Sequence, residues 1–224
     1  YDERWVNYID ELPAWGEKPK KNAVKLHDDE MPDGFDIWRS HNVQTQRQEG
    51  YMVVCVMLPL GDISSHQMRQ LAVIADKYVG DSVRTTVEQN IVLRWVSEED
   101  LPSLYLDLKS IDLAEPGAGT IVDITACPGT DTCKLGIASS RGLASELRQT
   151  LSLNQVKLDK AVQNLRIKIS GCFNSCGQHH IADLGFYGNS RTFKGYKVPH
   201  FQVVLGGRWT GNAGSFGMAM GAVP

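Results

Sequence analysis

Four of the five cysteines fall in two short words, and no other feature narrows the possible folds as much. Residues 126–136 read A-C-P-G-T-D-T-C-K-L-G, and residues 169–180 read I-S-G-C-F-N-S-C-G-Q-H-H. Cys127 and Cys133 form one close pair; Cys172 and Cys176 form another, about forty residues further on. A fold that joins the pairs offers four thiolates around one point, and thiolate is the soft ligand that selects iron–sulfur clusters or zinc. A structural zinc site often has two residues between paired cysteines. Here five residues separate the first pair and three the second, which favours a cluster over zinc. His179 and His180 offer substitute zinc ligands, but four cysteines already suffice. A disulfide framework would need an oxidising compartment. Gly129, Gly136, Gly171 and Gly177 flank the cysteines and leave room for backbone amides to approach sulfur.

Composition adds bounds rather than direction. A chain of 224 residues with 42% apolar and 22% charged residues has the make-up of a soluble globular protein of one or two domains. A net charge of −3 argues for neither a nucleic-acid nor a membrane-surface partner. No apolar run approaches the roughly 20 residues of a spanning helix. The opening Tyr1-Asp2-Glu3-Arg4-Trp5 has no initiator Met and does not read as a secretory signal, which fits a piece of a longer chain. Paired cysteines without such a signal point to a reduced, cytoplasmic setting. Cys55, within Val53-Val54-Cys55-Val56-Met57, reads as a core thiol.

Along the chain, residues 1–40 read as an arm in which Trp5, Trp15 and Trp38 are anchors and Lys18-Pro19-Lys20-Lys21 is solvated linker. Residues 51–60 predict a strand. A helix follows, with Asp62, Ser64 and Ser65 as candidate caps, Met68, Leu71, Ala72, Ala75, Tyr78 and Val79 at helical spacing, and Gly80 as its stop. Residues 82–87 and 91–96 predict a strand pair around Glu88-Gln89-Asn90, and residues 97–108 a capped helix. Strand–helix–strand–strand–helix is a split βαβ, ferredoxin-like unit over residues 41–112. Past a Gly- and Pro-containing boundary at 114–119, residues 120–125 predict a strand that delivers Cys127. Residues 134–150 predict a helix whose N-terminus lies at Cys133, where exposed amides favour an anion such as a thiolate cluster. Residues 153–164 carry a shorter helical pattern. Further strands are expected at 165–170, 181–187 and 200–205, before a Gly-rich tail. The fold class is α+β: the ferredoxin-like half-domain, then a mixed α/β domain over residues 113–224.

The two cysteine words, Cys-x5-Cys and Cys-x3-Cys, resemble the cluster signature of the sirohaem-dependent nitrite and sulfite reductases. The words around them agree: S-G-C-F-N-S-C-G followed by H-H-I-A-D-L-G-F-Y-G, and V-R-T-T-V-E-Q-N-I upstream. The resemblance covers about residues 40 to 215. In that family a ferredoxin-like half-domain precedes a 4Fe–4S domain, the unit occurs twice per polypeptide, and sirohaem sits between the copies. This chain looks like the second, C-terminal copy. The resemblance implies that Cys127, Cys133, Cys172 and Cys176 each bind a cluster iron and that Cys176 also bridges to sirohaem iron. It implies six-electron reduction of nitrite to ammonia or of sulfite to sulfide, with electrons from ferredoxin or a flavoprotein. The sequence does not separate nitrite from sulfite. Phe173 stands where the family has Pro. The basic residues that hold the substrate anion belong to the N-terminal copy, so no catalytic residue is assigned and the chain alone is expected to be inactive.

Several polar residues carry two readings. Arg84, Gln89 and Asn90 match the family's R-T-T-x-x-Q-N word and would face sirohaem carboxylates; alternatively, Gln89 and Asn90 simply make the hairpin turn. Asn174 would donate to a cluster sulfur or satisfy its loop. His179 and His180 read as core or loop histidines. Lys134 would offset cluster charge or be solvated. Arg141 and Arg208 would meet haem carboxylates or lie on the surface. A second function class also stands: a non-catalytic redox or structural metal-binding module that needs a partner chain.

Overall fold

The structure is a computed structural model that describes residues 18–27, 30–80, 82–154, 158–209 and 214–224. Trp5, Trp15, Asp28 and Asp29 lie outside the described residues.

The first unit is built on an antiparallel sheet of order β1-β2-β4-β3, from β1 (Val43–Thr45), β2 (Tyr51–Val56), β3 (Val83–Thr85) and β4 (Ile91–Ser97). With β4 antiparallel to both β2 and β3, those two run parallel, and the helix between them completes the split βαβ. That helix, α2 (Ser65–Tyr78), begins with a capping box: Ser64 accepts from the Gln67 amide while Gln67 Oε1 accepts from the Ser64 amide. Leu71, Ile74, Ala75 and Tyr78 form its buried face. Met68 and Ala72, expected on that face, are exposed. The third helix, α3 (Leu101–Lys109), carries Pro102 in its first turn.

The expected arm through residue 40 ends too late. Residues Phe35–Asn42 form α1, and Phe35 and Trp38 are buried in the first core beside Tyr105, with ring centroids 5.8 and 5.2 Å from it. Trp38 is therefore core rather than an anchor of a loose arm. The preceding basic run is also tied down: Lys20 pairs with Asp76, and Lys21 reaches Asp100 at 2.9 Å.

The second unit is a mixed sheet of order β5-β6-β7-β8-β9. Its strands are β5 (Thr125–Ala126), β6 (Ile167–Ser170), β7 (Leu184–Phe193), β8 (Tyr196–Leu205) and β9 (Met218–Val223). β5, β6 and β7 are parallel; β8 and β9 are antiparallel additions. All four residues of β6 are buried, as expected for a strand covered on both faces. Helices α4 (Ser140–Asn154) and α5 (Lys160–Gln163) complete the unit.

The strand expected at 120–125 shrinks to two residues, because Thr120 closes a turn onto Gly117; Ile121, Val122 and Ile124 are buried without being a strand. The helix expected from residue 134 begins at Ser140, since the Ile137 and Ala138 amides turn to the Gly171 carbonyl beside Cys172. The Gly-rich tail contains β9, paired to β8.

Candidate metal centre: two cysteine loops at parallel strand ends

Cys127 follows β5 and Cys172 follows β6, so both leave the carboxyl ends of neighbouring parallel strands. That edge of an open α/β sheet is where connecting loops splay and ligands bind. The two loops are stitched together. The Cys127 amide donates to the Ile169 carbonyl (3.1 Å), and the Ile137 and Ala138 amides both donate to the Gly171 carbonyl (2.8 and 3.1 Å). The Gly171 amide in turn donates to Cys127 Sγ at 3.1 Å.

Glycine makes the contact close enough. A Cβ on Gly171 would lie 2.5 Å from Gly129 Cα, and one on Gly136 would lie 2.7 Å from the Gly129 carbonyl carbon. A Cβ on Gly188 of β7 would overlap the Gly171 carbonyl. No larger residue fits at these places without parting the loops. Ser140, wholly buried at the start of α4, donates to the Cys127 carbonyl (2.7 Å) and lies 3.5 Å from its sulfur. The helix N-terminus thus meets Cys127, not Cys133 as expected.

Cys127 and Cys172 are buried, whereas Cys133 and Cys176 are exposed. None of the five cysteines is paired in a disulfide. Among the described residues, no three His, Cys, Asp or Glu side chains gather closely enough to hold one metal ion. A multi-iron cluster spreads its thiolate ligands over several metals. The opposed loops, the amide aimed at a sulfur and the glycine contacts fit the cluster.

The side chains of Gln89 and Asn90 join the two units. Gln89 Nε2 donates to the Ala126 carbonyl and its Oε1 accepts from the Ala126 amide, both at 3.0 Å. Asn90 is buried; its Oδ1 accepts from the Leu58 amide (2.9 Å) and its Nδ2 donates to both oxygens of Asp123 (3.0 and 2.9 Å). Arg84 is exposed on β3. Asn174 is exposed on the turn within the second cysteine word, next to exposed Phe173. Lys134 is exposed in a loop rather than a helix. Arg141 serves protein acceptors: the Leu60 carbonyl (3.0 Å), Asp62, and Asp131 between Cys127 and Cys133 (3.2 Å). Arg208 is exposed and its backbone bridges to Ser215.

His179 is wholly buried, stacked 4.7 Å from the Tyr187 ring, and its Nδ1 meets Ser170 Oγ at 2.8 Å. Ser170 Oγ also accepts from the Gly177 amide, so His179 braces the second cysteine loop. Burial, and then His180, pushes its pKa down to about 4. It is a neutral core histidine.

Sequence reasoning missed the groups between the units. A cavity of about 380 Å³ lies there, lined in part by Val53, Cys55, Val92, Asp123, Lys168 and Trp209. Lys168 is 2% exposed; its ammonium reaches Thr125 Oγ1 (3.3 Å) and Gln178 Oε1 (3.1 Å), and burial lowers its pKa. Burial also raises the Asp123 pKa, against the bonds from Gly119 and Asn90. Cys55 is half-buried on this cavity, and burial pushes its thiol up to about 12. A lysine on a strand of apolar residues was the available signal, but nothing in its neighbours shows which face it occupies.

Comparison with known proteins follows these divisions. The family described as "Nitrite/Sulfite reductase ferredoxin-like half domain" matches residues 44–111, and "Nitrite and sulphite reductase 4Fe-4S domain" matches residues 117–217. The chain belongs to the nitrite and sulfite reductase family. Within this family it is 30% identical over 166 residues to the ferredoxin–nitrite reductase of Synechococcus elongatus, which covers 74% of this chain and 32% of that protein. It is 30% identical over 172 residues to "Sulfite reductase [ferredoxin] 2" of Mycolicibacterium paratuberculosis, covering 74% of this chain and 30% of that one. The solved structure of the Mycobacterium tuberculosis NirA protein superimposes with a TM-score of 0.69 at 26% identity, over 90% of this chain and 36% of that chain. The chain thus spans about a third of the length of the relatives it matches. As a nitrite and sulfite reductase family member it carries the 4Fe–4S domain immediately after the ferredoxin-like half-domain, which is the order of the two sheets.

Proposed function

We propose that this chain is the cluster-bearing, C-terminal half of a reductase that holds a 4Fe–4S cluster and sirohaem and converts nitrite to ammonia or sulfite to sulfide. The observation that carries the reading is the joining of both cysteine loops at the ends of β5 and β6, with the Gly171 amide on Cys127 Sγ. Cys127, Cys133, Cys172 and Cys176 are the proposed iron ligands, and Cys176, exposed, is the proposed bridge to sirohaem. Arg84, exposed on β3, is proposed to face sirohaem carboxylates, and Asn174, exposed on its turn, to donate to a cluster sulfur.

When bound, such a cluster supplies electrons one at a time to an oxyanion held at the haem. Six electrons and eight protons turn nitrite into ammonium and two waters; six electrons and seven protons turn sulfite into hydrosulfide and three waters. The chain's own residues do quieter work. The Gly171 amide holds the Cys127 sulfur, and burial keeps water from Cys127 and Cys172. The substrate-binding cations, and with them the choice of anion, are proposed to lie in the N-terminal half-copy, which is proposed to be this chain's partner. The proposed electron donor is ferredoxin, in keeping with the names of the relatives, or a flavoprotein. Among the described residues no helix is long and apolar enough to cross a membrane. Cysteines outside disulfides suit the reducing cytoplasm, where we place the protein.

Anaerobic purification tests the reading. The protein should contain iron and acid-labile sulfide in near-equal amounts, with broad visible absorbance. Stoichiometric zinc without sulfide overturns it. With reduced methyl viologen and nitrite or sulfite, this chain alone should show no turnover.

A further inference from the structure

Gln89 stands at the corner of the β3–β4 hairpin with φ 67°, in the left-handed region that non-glycine residues seldom occupy. That conformation sends its side chain out of the first unit. Gly61, whose added Cβ would lie 3.1 Å from the Gln89 Cβ, leaves space for the stem. The amide then pairs with Ala126 as a neighbouring strand would, donating to the carbonyl and accepting from the N–H at 3.0 Å each. Its orientation is fixed by that pairing, because exchanging O and N would set donor on donor and acceptor on acceptor.

The partner matters as much as the bonds. β5 is an edge strand, with β6 on one side only. The Cys127 amide turns toward β6 and donates to Ile169, so the Ala126 groups turn the other way, onto Gln89. Gln89 therefore closes the open edge of the sheet one residue before a proposed iron ligand. Cys127 is also the cysteine whose sulfur accepts the Gly171 amide. Hydrogen bonds to cluster sulfurs are among the factors that set a cluster's reduction potential.

We infer that Gln89 is a positioning residue for the iron–sulfur site: by gripping Ala126 it fixes Cys127 Sγ against the Gly171 amide. The ferredoxin-like unit then shapes the cluster's electronic environment through one side chain, in addition to packing against the domain that holds it. The inference rests on the reading of the four cysteines as cluster ligands.

The test uses the complete cofactor-loaded protein, wild type beside Gln89→Ala and Gln89→Glu. Iron and acid-labile sulfide are measured first; wild type without sulfide would sink the cluster reading itself. Then the reduction potential and the EPR spectrum of the cluster are recorded at pH 5 and pH 8, with thermal unfolding in parallel. Gln89→Ala should lower the potential and alter the spectrum, because the amide-to-sulfur bond slackens. In Gln89→Glu the carboxylate repels the Ala126 carbonyl, whereas the protonated acid can both donate and accept. Because the facing Ala126 carbonyl favours the protonated acid, this variant should move toward wild type at pH 5 and match the alanine variant at pH 8. If Gln89→Ala does not assemble a cluster, the pH dependence of Gln89→Glu still decides the matter. Potentials and spectra equal to wild type at both pH values, with only the melting temperature lowered, would overturn the inference and leave Gln89 a clasp between domains.

Discussion

The Gly171 amide nitrogen lies 3.1 Å from Cys127 Sγ, across two loops that are more than forty residues apart in sequence. The bond has a steric condition, since the Gly171 backbone can approach only because no side chain intervenes.

Gly171→Ala should therefore weaken cluster binding. Its Cβ would lie 2.5 Å from Gly129 Cα and 3.0 Å from the Ala138 carbonyl, both backbone atoms with little freedom to yield. Parting the loops by even an ångström removes the amide from the sulfur. Iron and acid-labile sulfide per chain should fall severalfold, while the first unit, whose core of Trp38, Leu93 and Leu104 is separate, keeps its structure. Near-UV circular dichroism of the tryptophans, read beside the iron content, checks both parts.

Asn90 should prove a structural residue of unusual weight. Asn90→Ala leaves the Leu58 amide and the Asp123 carboxylate without their buried partner, at a cost of roughly 3 kcal/mol. Asn90→Asp keeps the shape and the bond from Leu58 but sets a second carboxylate against Asp123. The folded pair then holds a proton to higher pH than the unfolded chain does. Stability is retained below the ordinary carboxylate range near pH 4 and is lost as pH rises through the raised folded value. Urea midpoints of Asn90→Asp that fall from pH 4 to pH 7, relative to wild type, are the expected result.

These contacts mark the limit of what the residues alone disclose. The split βαβ was legible because its period changes from two to 3.6 and back, and Ser64 and Gly80 punctuate α2. Helix α1 was not: only eight residues long, it buries Phe35 and Trp38 while Ile37 is 59% exposed, so its apolar stripe is too short to register. β9 reads M-A-M-G-A-V, and its conformation is set by pairing with β8 rather than by propensity. The cysteine pairs were legible as chemistry through spacing and ligand softness. Gln89 on Ala126, 37 residues away, was not, since no periodicity connects a hairpin corner to the edge of another sheet.

The four cysteines should separate into two classes in the complete enzyme. Serine at Cys127, Cys133 or Cys172 should impair cluster assembly, because a hydroxyl is a hard, poor ligand for this iron. Cys176→Ser should do the same and also uncouple cluster from sirohaem in molecules that keep both. Mössbauer or EPR spectra, with both cofactors quantified, distinguish the classes. Intact magnetic coupling in Cys176→Ser would remove Cys176 from the bridging role.

His179 should make the fold acid-sensitive through a single group. It is wholly buried against Tyr187 and Ser170, and its folded pKa of about 4 lies below the ordinary 6.5. Between those values the unfolded chain binds a proton that the folded chain refuses, so stability falls as pH drops from above 6.5 toward 4 and levels off below. A shift of that size corresponds to about 3 kcal/mol at most. Replacing the ring removes the slope: His179→Phe, which keeps the stacking on Tyr187 but forfeits the bond to Ser170, should be less stable than wild type at pH 8. At pH 5 the gap should narrow or reverse. Urea unfolding of the metal-free chain at both pH values measures this directly. Parallel pH profiles for the two proteins would show that His179 is not the group that titrates.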